Sequence, residues 1–124
     1  MKTLELARHF MDRVEVGDAD GAAACHHADS KIWHNFSNET QTIAENMDLL
    51  RLMVAKCASR KYTIHRLEEI DGGYVQHHTL EVTGPNGTTH SAEAVAIVEV
   101  TGGKISAIKE WIDPTALRSV LAET

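Results

Sequence analysis

Apolar residues in the first part of the chain recur every three or four positions, which is the spacing of one face of an α-helix. Leu4, Ala7, Phe10 and Val14 follow this spacing, and the pattern stops at Gly17. The sequence therefore predicts a first helix that ends near Gly17 and buries one apolar side.

Two more helices and a short strand are predicted in the same part of the chain. Asp18 is the expected N-cap of a second helix that runs to Cys25, and residues 31–36 have β character. Thr42 and Glu45 have the spacing of a capping box, which opens a third helix. The buried stripe of that helix should consist of Ile43, Met47, Leu50, Val54 and Cys57.

From Lys61 onwards the apolar period changes to two, which is typical of β-strands. Glycine-rich turns recur at regular intervals, and the short connections between them favour an antiparallel sheet. Asp113 is predicted to be the N-cap, and Pro114 the first residue, of a short C-terminal helix. The predicted strands cover about 61–70, 74–83, 88–100 and 104–112.

Helices followed by a meander of strands predict a single α+β domain over residues 1–124. About three helices should pack on a sheet of four to six strands, and strong coiling of this sheet should leave a conical cavity. The chain has 43% hydrophobic and 24% charged residues, which suits one soluble domain with a core and a small pocket.

The charge balance excludes some classes of partner. A formal net charge of −6 disfavours nucleic acids and anionic membranes, because both are bound through clustered lysine and arginine. The first residues carry charges where a signal peptide needs an apolar stretch, so a cytoplasmic protein is expected. Cys25 and Cys57 lack a C-x-x-C spacing and are expected to be reduced thiols.

No metal or cofactor is expected. His26-His27 and His77-His78 are adjacent pairs, whose rings point in different directions on a strand or a helix. A metal held by distant residues such as His65, His77 and Glu81 is the weaker alternative.

Glu110 is the most informative candidate for chemistry. Ile108 and Ile112 lie two residues before and after it, so on a strand all three share one apolar face. A carboxylate there either serves acid–base chemistry in a cavity, or reaches a cation or solvent at the edge of the sheet.

The strand over 74–83 has two possible inward faces. One interpretation turns Val75, His77, Thr79 and Glu81 towards the cavity, so that Glu81 shares it with Glu110. The other turns Gln76, His78, Leu80 and Val82 inward and leaves Glu81 in solvent.

The order of the elements and three short motifs resemble the nuclear transport factor 2-like superfamily. The similarity is strongest to its branch of limonene epoxide hydrolases and SnoaL-like polyketide cyclases, and it runs from Phe10 to Asp113. The resemblance predicts the fold but says little about the reaction, because the superfamily includes several enzyme classes and non-catalytic members. The motifs are Trp33-His34-Asn35, Gly103-Lys104-Ile105 and Glu110-Trp111-Ile112-Asp113.

The comparison with the epoxide hydrolases implies two retained acids and several lost groups. The family's Tyr-x-Asn falls on Trp33-His34-Asn35, which keeps the asparagine and loses the tyrosine. Its Arg-x-Asp falls on Thr79-Leu80-Glu81, which loses the arginine, and its final acid falls on Glu110. Without the arginine that orders both acids, a conventional epoxide hydrolase is not expected. His77 is its most natural replacement, although a core histidine is an equal alternative.

Other branches of the superfamily narrow the expected reaction. A ketosteroid isomerase would need an acid near Asn35 and a tyrosine on the first helix, and neither is present. The resemblance to SnoaL-like cyclases implies one acid on the last strand that serves as the base, a role that Glu110 could take.

The resulting expectation is a cofactor-independent isomerase, cyclase or dehydratase that acts on a small apolar carbonyl compound. Glu110 is the expected base and Glu81 its partner acid, with Asn35 and His77 as polar donors. The expected ligand wall consists of Trp33, Thr79, Ile108 and Ile112.

Two other functions are compatible with the same residues. A non-catalytic binding module would use these polar groups only to orient a ligand. A dimerisation module would use the outer sheet face around Val95 and Ile97, opposite Ala94 and Ala96, and the resemblance also implies a homodimer.

Overall fold

The computed structural model describes residues 1–122 and consists of helices packed on one six-stranded sheet. No helix within these residues is long and apolar enough to cross a membrane. The helices are α1 (Thr3–Glu15), α2 (Ala19–Ala23), α3 (Ile43–Lys56) and α4 (Thr115–Leu121). The strands are β1 (His26–His34), β2 (Thr40–Thr42), β3 (Ser59–Ile70), β4 (Gly73–Thr83), β5 (Thr89–Thr101) and β6 (Lys104–Ile112).

The strands lie in the order β2-β1-β6-β5-β4-β3. β1 runs parallel to β6, and all other neighbours are antiparallel. The predicted α+β fold, with helices on a mainly antiparallel sheet and a short C-terminal helix, is confirmed. The long-range pairing of β1 with β6 brings the end of the first strand beside the end of the last one.

Capping side chains fix the starts of α2 and α3 as predicted. The capping box of α3 is present, because Thr42 and Glu45 each accept a hydrogen bond from the backbone of the other. The Asp18 side chain caps α2 by accepting from the Gly21 amide. At α4 the prediction was wrong by one residue, since Pro114 is the N-cap and the Asp113 carboxylate accepts from the Thr115 amide.

Two details of the helix prediction were wrong. Met53 rather than Val54 completes the buried stripe of α3, and Val54 is 41% exposed. Cys25 lies in the turn after α2 and Cys57 directly follows α3, so neither is within a helix, although both are buried.

The helices cover one face of the sheet, and small residues on that face leave space beneath them. Ala92, Ala94 and Ala96 of β5 are all buried there. They pair with Leu80, His78 and Gln76 of β4, so these three side chains face the helices as well. A methyl group fills much less volume than a branched side chain. Ala92 and Ala96 therefore leave space between the helices and the sheet, and both line cavities there.

Candidate active site

A cavity of about 140 Å³ lies between the sheet and helices α1, α3 and α4. Most of its wall is apolar. Its polar residues on the sheet side are His34, Tyr62, His78 and Glu110, and Asn46 of α3 and Asp113 line it as well. Phe36 and Asp113 line the cavity and are also exposed, so they mark its mouth. The principal apolar residues of the wall are Phe10, Met47, Leu50, Met53, Ile108 and Ile112.

Glu110 projects from β6 into this cavity between two histidines. Its Oε1 lies 3.1 Å from His34 Nε2, and its Oε2 lies 3.6 Å from His78 Nε2. The register of the sheet explains the arrangement, because His34 of β1 is the direct partner of Glu110 across the parallel pair. The side chain of Glu110 is 21% exposed. Each of its oxygens therefore has a histidine beside it while the carboxylate still faces the cavity.

His78 is a buried neutral partner of this carboxylate. Burial lowers the pKa of His78, and the nearby Glu110 only partly opposes this effect. The Gln76 side-chain nitrogen lies 2.9 Å from His78 Nδ1, so the amide donates to Nδ1. The proton of the neutral ring is then on Nε2, the nitrogen that faces Glu110. At 3.6 Å this last contact is electrostatic rather than a full hydrogen bond.

Tyr62 brings a hydroxyl group to the same cavity. Burial raises the pKa of Tyr62, and the negative charge of Glu110 raises it further. The phenol therefore stays protonated at physiological pH and is available as a hydrogen-bond donor. Its ring also contacts that of His78, with centroids 5.7 Å apart.

The predicted placement of Glu81, His77 and Thr79 in the cavity was wrong. These residues lie on the opposite face of β4, where His77 Nε2 is 3.8 Å from Glu93 Oε1. Thr79 Oγ1 is hydrogen-bonded to His65 Nε2 at 2.6 Å. The cavity face of β4 carries the alternative set, with Gln76 and His78 as its polar members. Glu81 thus cannot share the cavity with Glu110.

Trp33 and Asn35 also lie outside the cavity. The ring of Trp33 packs edge-to-face against Trp111, with centroids 5.3 Å apart, and its Nε1 donates to Asn38. Asn35 Oδ1 accepts from the Ile112 amide at 2.9 Å and ties the end of β1 to β6. Asn35 is therefore a structural residue in this chain, and Trp33 is not a wall of the cavity.

The remaining placements agree with the sequence. Glu110, Ile108 and Ile112 all line the cavity, as their alternation predicts. His34 and Tyr62 were not predicted as site residues, and His78 was placed inward only by the alternative interpretation of β4. His34 and His78 each lie two residues from an apolar residue of the cavity wall, Ile32 and Leu80. Within residues 1–122, no group of three or more histidine, cysteine, aspartate or glutamate side chains is arranged to hold a metal ion.

Solved structures with low sequence identity share this fold over nearly their whole length. A protein from Shewanella putrefaciens CN-32 described as a SnoaL-like polyketide cyclase is 16% identical, with a TM-score of 0.81 over 100% of this chain and 98% of the other. An LEH-like epoxide hydrolase from M. tuberculosis is 17% identical, with a TM-score of 0.77 over 96% of this chain and 88% of the other.

A third structure of this fold was obtained with a small molecule. TerC, co-crystallised with polyporic acid, is 18% identical, with a TM-score of 0.80 over 96% of this chain and 97% of the other. At these identities the three structures show the shared fold and not a shared reaction.

No curated protein matches the sequence. The model of the SnoaL-like domain family matches residues 7–108, which is most of the chain. Together with the fold, this match shows that the chain belongs to the family of SnoaL-like domains, within the nuclear transport factor 2-like superfamily.

Proposed function

We propose that the protein is a cofactor-independent acid–base enzyme for a small apolar carbonyl compound, with Glu110 as the general base. One observation carries this proposal: a carboxylate stands in a mainly apolar cavity with a histidine beside each of its oxygens. Such a group can remove a proton next to a carbonyl group, which is the first step of isomerisation, cyclisation and dehydration alike.

The residues of the cavity can complete the proton transfer. A Glu110 oxygen would take the proton from the α-carbon, and the electrons of the broken C–H bond would form the C=C bond of an enolate. Tyr62 and His78 carry protons on neutral groups and would stabilise the negative charge on the enolate oxygen. In a β,γ-unsaturated ketone the enolate is conjugated with the second C=C bond, so return of the proton from Glu110 to the γ-carbon would complete an isomerisation. Positioned proton transfer of this kind contributes about 10²–10⁴-fold to a rate.

Ligand binding in this fold supports the use of the cavity. TerC was co-crystallised with polyporic acid, so a protein of this architecture has been studied with an organic ligand. In the present chain the cavity is lined mainly by apolar side chains, with a few polar groups among them, as is usual for small-molecule sites.

The test is deuterium exchange at the α-carbon of simple ketones. Cyclohexanone in D₂O would be incubated with the protein, and the loss of the α-proton signal would be followed by NMR. We expect the protein to accelerate the loss well above a control that contains free imidazole and acetate at the same concentrations. No acceleration for cyclohexanone or its methyl derivatives would refute the proposed activity.

A non-catalytic binding module is the second candidate, and one observation favours it. Glu81 lies on the outer face of the sheet, so the cavity lacks the β4 carboxylate expected as the partner acid of Glu110. The other carboxylate in the described wall is Asp113, which accepts hydrogen bonds from Thr115 at the mouth. A binding module would take up the ketone in the cavity without any exchange of its α-protons. Measuring binding and exchange on the same sample separates the two functions.

We expect slow or undetectable hydrolysis of simple epoxides. Glu110 is an acid–base group of the cavity. The β4 positions that face the cavity carry His78 and Leu80, and among the described residues no arginine lines the wall. An arginine that orders a base and an acid around the attacking water is thus missing. Turnover of limonene oxide at about ten per second or faster, a normal enzyme rate, would contradict this expectation.

We also propose a homodimer formed through the outer face of the sheet. Val95, Ile97 and Trp111 lie together there and are 41%, 40% and 40% exposed. Light scattering should give twice the chain mass of 13.7 kDa, and Val95→Lys with Ile97→Lys should shift the protein towards the monomer. Val16→Lys, at a 58% exposed valine after α1, is the control that should leave the mass unchanged. A wild-type protein that is monomeric at micromolar concentration would rule out the stable dimer.

A further inference from the structure

A second, smaller chamber adjoins the cavity behind Glu110. It has a volume of about 30 Å³, and Phe10, Met11, His78, Ile108 and Glu110 line both spaces. The two chambers are therefore neighbours, and Glu110 stands at the boundary between them.

The wall of the smaller chamber is mostly apolar. Tyr74, Ala96 and Val98 line this chamber alone, and all three are buried. Tyr74, Gln76, His78 and Glu110 bring polar atoms to it, but these atoms form only a small part of its surface. Gln76 and His78 are also hydrogen-bonded to each other. A water molecule needs two to four polar partners, so this wall suits an alkyl group better than water.

The sizes of the chambers limit the ligand. A cavity of about 150 Å³ lined by leucine, isoleucine and phenylalanine holds one benzene molecule. The main cavity, at about 140 Å³, therefore has room for one six-membered ring and not for two fused rings. The smaller chamber has room for roughly one or two further non-hydrogen atoms.

The charges of the wall favour a neutral ligand. Among the described residues, no lysine or arginine lines either chamber, while Glu110 and Asp113 are acidic. An anionic ligand would thus enter an apolar space without a cation to pair with. A cationic ligand would have to compete with the two histidines that already approach both oxygens of Glu110.

We propose that the natural ligand is a neutral, monocyclic six-membered-ring ketone with a short alkyl group on its α-carbon, and that this alkyl group occupies the smaller chamber. The inference rests on the proposed function, because a substituent on the carbon that Glu110 deprotonates lies next to Glu110 and hence at the entrance to this chamber. The ring fills the main cavity, and its oxygen faces Tyr62 and His78.

A set of matched ketones tests the ligand class by binding alone. Dissociation constants would be measured by NMR titration for cyclohexanone, 2-methylcyclohexanone, 4-methylcyclohexanone and 2-decalone, and for cyclohexylammonium and cyclohexanecarboxylate as charged ligands of the same ring size. One extra buried methyl group should tighten binding about fourfold, so 2-methylcyclohexanone should bind tighter than cyclohexanone by that factor. 4-Methylcyclohexanone contains the same atoms and should bind more weakly than the 2-isomer. The bicyclic 2-decalone should bind at least about tenfold more weakly than 2-methylcyclohexanone, because a second ring has no room.

A variant of the smaller chamber gives a second test. Val98→Ala enlarges only this chamber and should favour 2-propylcyclohexanone over 2-methylcyclohexanone relative to the wild type, by about threefold or more. Val82→Ala is the matched control, since Val82 is an equally buried valine on the same face of the sheet and lines neither chamber. The wild-type series does not depend on whether either variant folds.

The possible results separate this inference from the proposed function. The predicted order of affinities without α-proton exchange would refute the enzyme and support the ligand class. Exchange that depends on Glu110, together with equal or tighter binding of 2-decalone, cyclohexylammonium or cyclohexanecarboxylate, would overturn the ligand class alone. The absence of detectable binding for every ketone would also overturn it.

Discussion

Replacement of Glu110 by glutamine should slow α-proton exchange by about 10²–10⁴-fold, the usual contribution of a positioned general base. The amide has nearly the same size and shape as the carboxylate, so the ligand should still fit, but it cannot accept the proton. The exchange assay with cyclohexanone measures this loss directly, and an NMR titration of the same variant shows that binding is retained.

Glu110→Gln should change the free energy of unfolding by less than about 1 kcal/mol. Burial keeps His78 neutral, so removing the carboxylate does not leave a buried cation at that position unpaired. Thermal unfolding measures this effect. A clear fall in melting temperature with unchanged exchange would instead identify Glu110 as part of a structural ion pair.

Glu81→Gln is the matched control for the exchange experiment. It makes the same chemical change on the opposite face of the sheet, outside the cavity. Exchange should be within about twofold of the wild-type rate, because Glu81 has no access to the ligand. If Glu81→Gln and Glu110→Gln slowed exchange equally, the assignment of the base to the cavity would be wrong.

The folded protein should lose about 3 kcal/mol of stability between pH 6.5 and pH 4 through His26. This side chain is 4% exposed, and burial lowers its pKa from 6.5 to about 4. Because the pKa of His26 is lower in the folded state than in the unfolded chain, its contribution to stability is fully present at pH values above the unfolded-state pKa. That contribution is lost as the pH falls, because the unfolded chain takes up the proton first. Urea unfolding across this pH range measures the loss.

The contacts of His26 explain why it resists protonation. Nδ1 lies 2.8 Å from Ser30 Oγ, the ring edge packs against Phe10, and Nε2 is buried without a hydrogen-bond partner among the described residues. His26→Gln should reduce the pH dependence of the unfolding free energy in this window, and the part that remains should come from His78, whose pKa is also lowered by burial. His27→Gln, at the more exposed neighbour, should leave it unchanged. An equally steep dependence in the His26 variant would show that other groups cause the acid sensitivity.

Local patterns predicted most of the fold. The four strands from 61 to 112 were placed within two residues of their ends, since glycine turns and hairpins are encoded by adjacent residues. The capping box of α3 and the inward position of Glu110 were likewise readable from residues two or three positions apart. Each of these features depends on short-range sequence alone.

The phase of β4 was predicted wrongly because its inward face carries two polar residues. Gln76 and His78 are buried, and these two polar residues interrupt the apolar pattern of the inward face, on which Leu80 and Val82 also lie. The pairing of β4 with β5 in their hairpin indicates which face of β4 points inward. The hairpin pairs His77 with Val95, and since Val95 was expected to face outward, its direct partner should face outward too.

The position of His34 beside Glu110 could not be predicted from local pattern. The two residues are brought together by the parallel pairing of β1 with β6, whose register also shifts between His26 and Lys31. Neither the pairing nor the irregularity is encoded by adjacent residues, because parallel strands are joined by long connections. The same pairing places Trp33 on the outer face, against Trp111.

A crystal structure of the protein with 2-methylcyclohexanone would test the central claim most directly. We expect the ring in the main cavity, with its α-carbon about 3–3.5 Å from an oxygen of Glu110, the distance needed for reaction. Its oxygen should lie towards Tyr62 and His78. A ketone bound in the cavity with its α-carbon turned away from Glu110, or bound only on the outer face of the sheet, would contradict the assignment of Glu110 as the catalytic base.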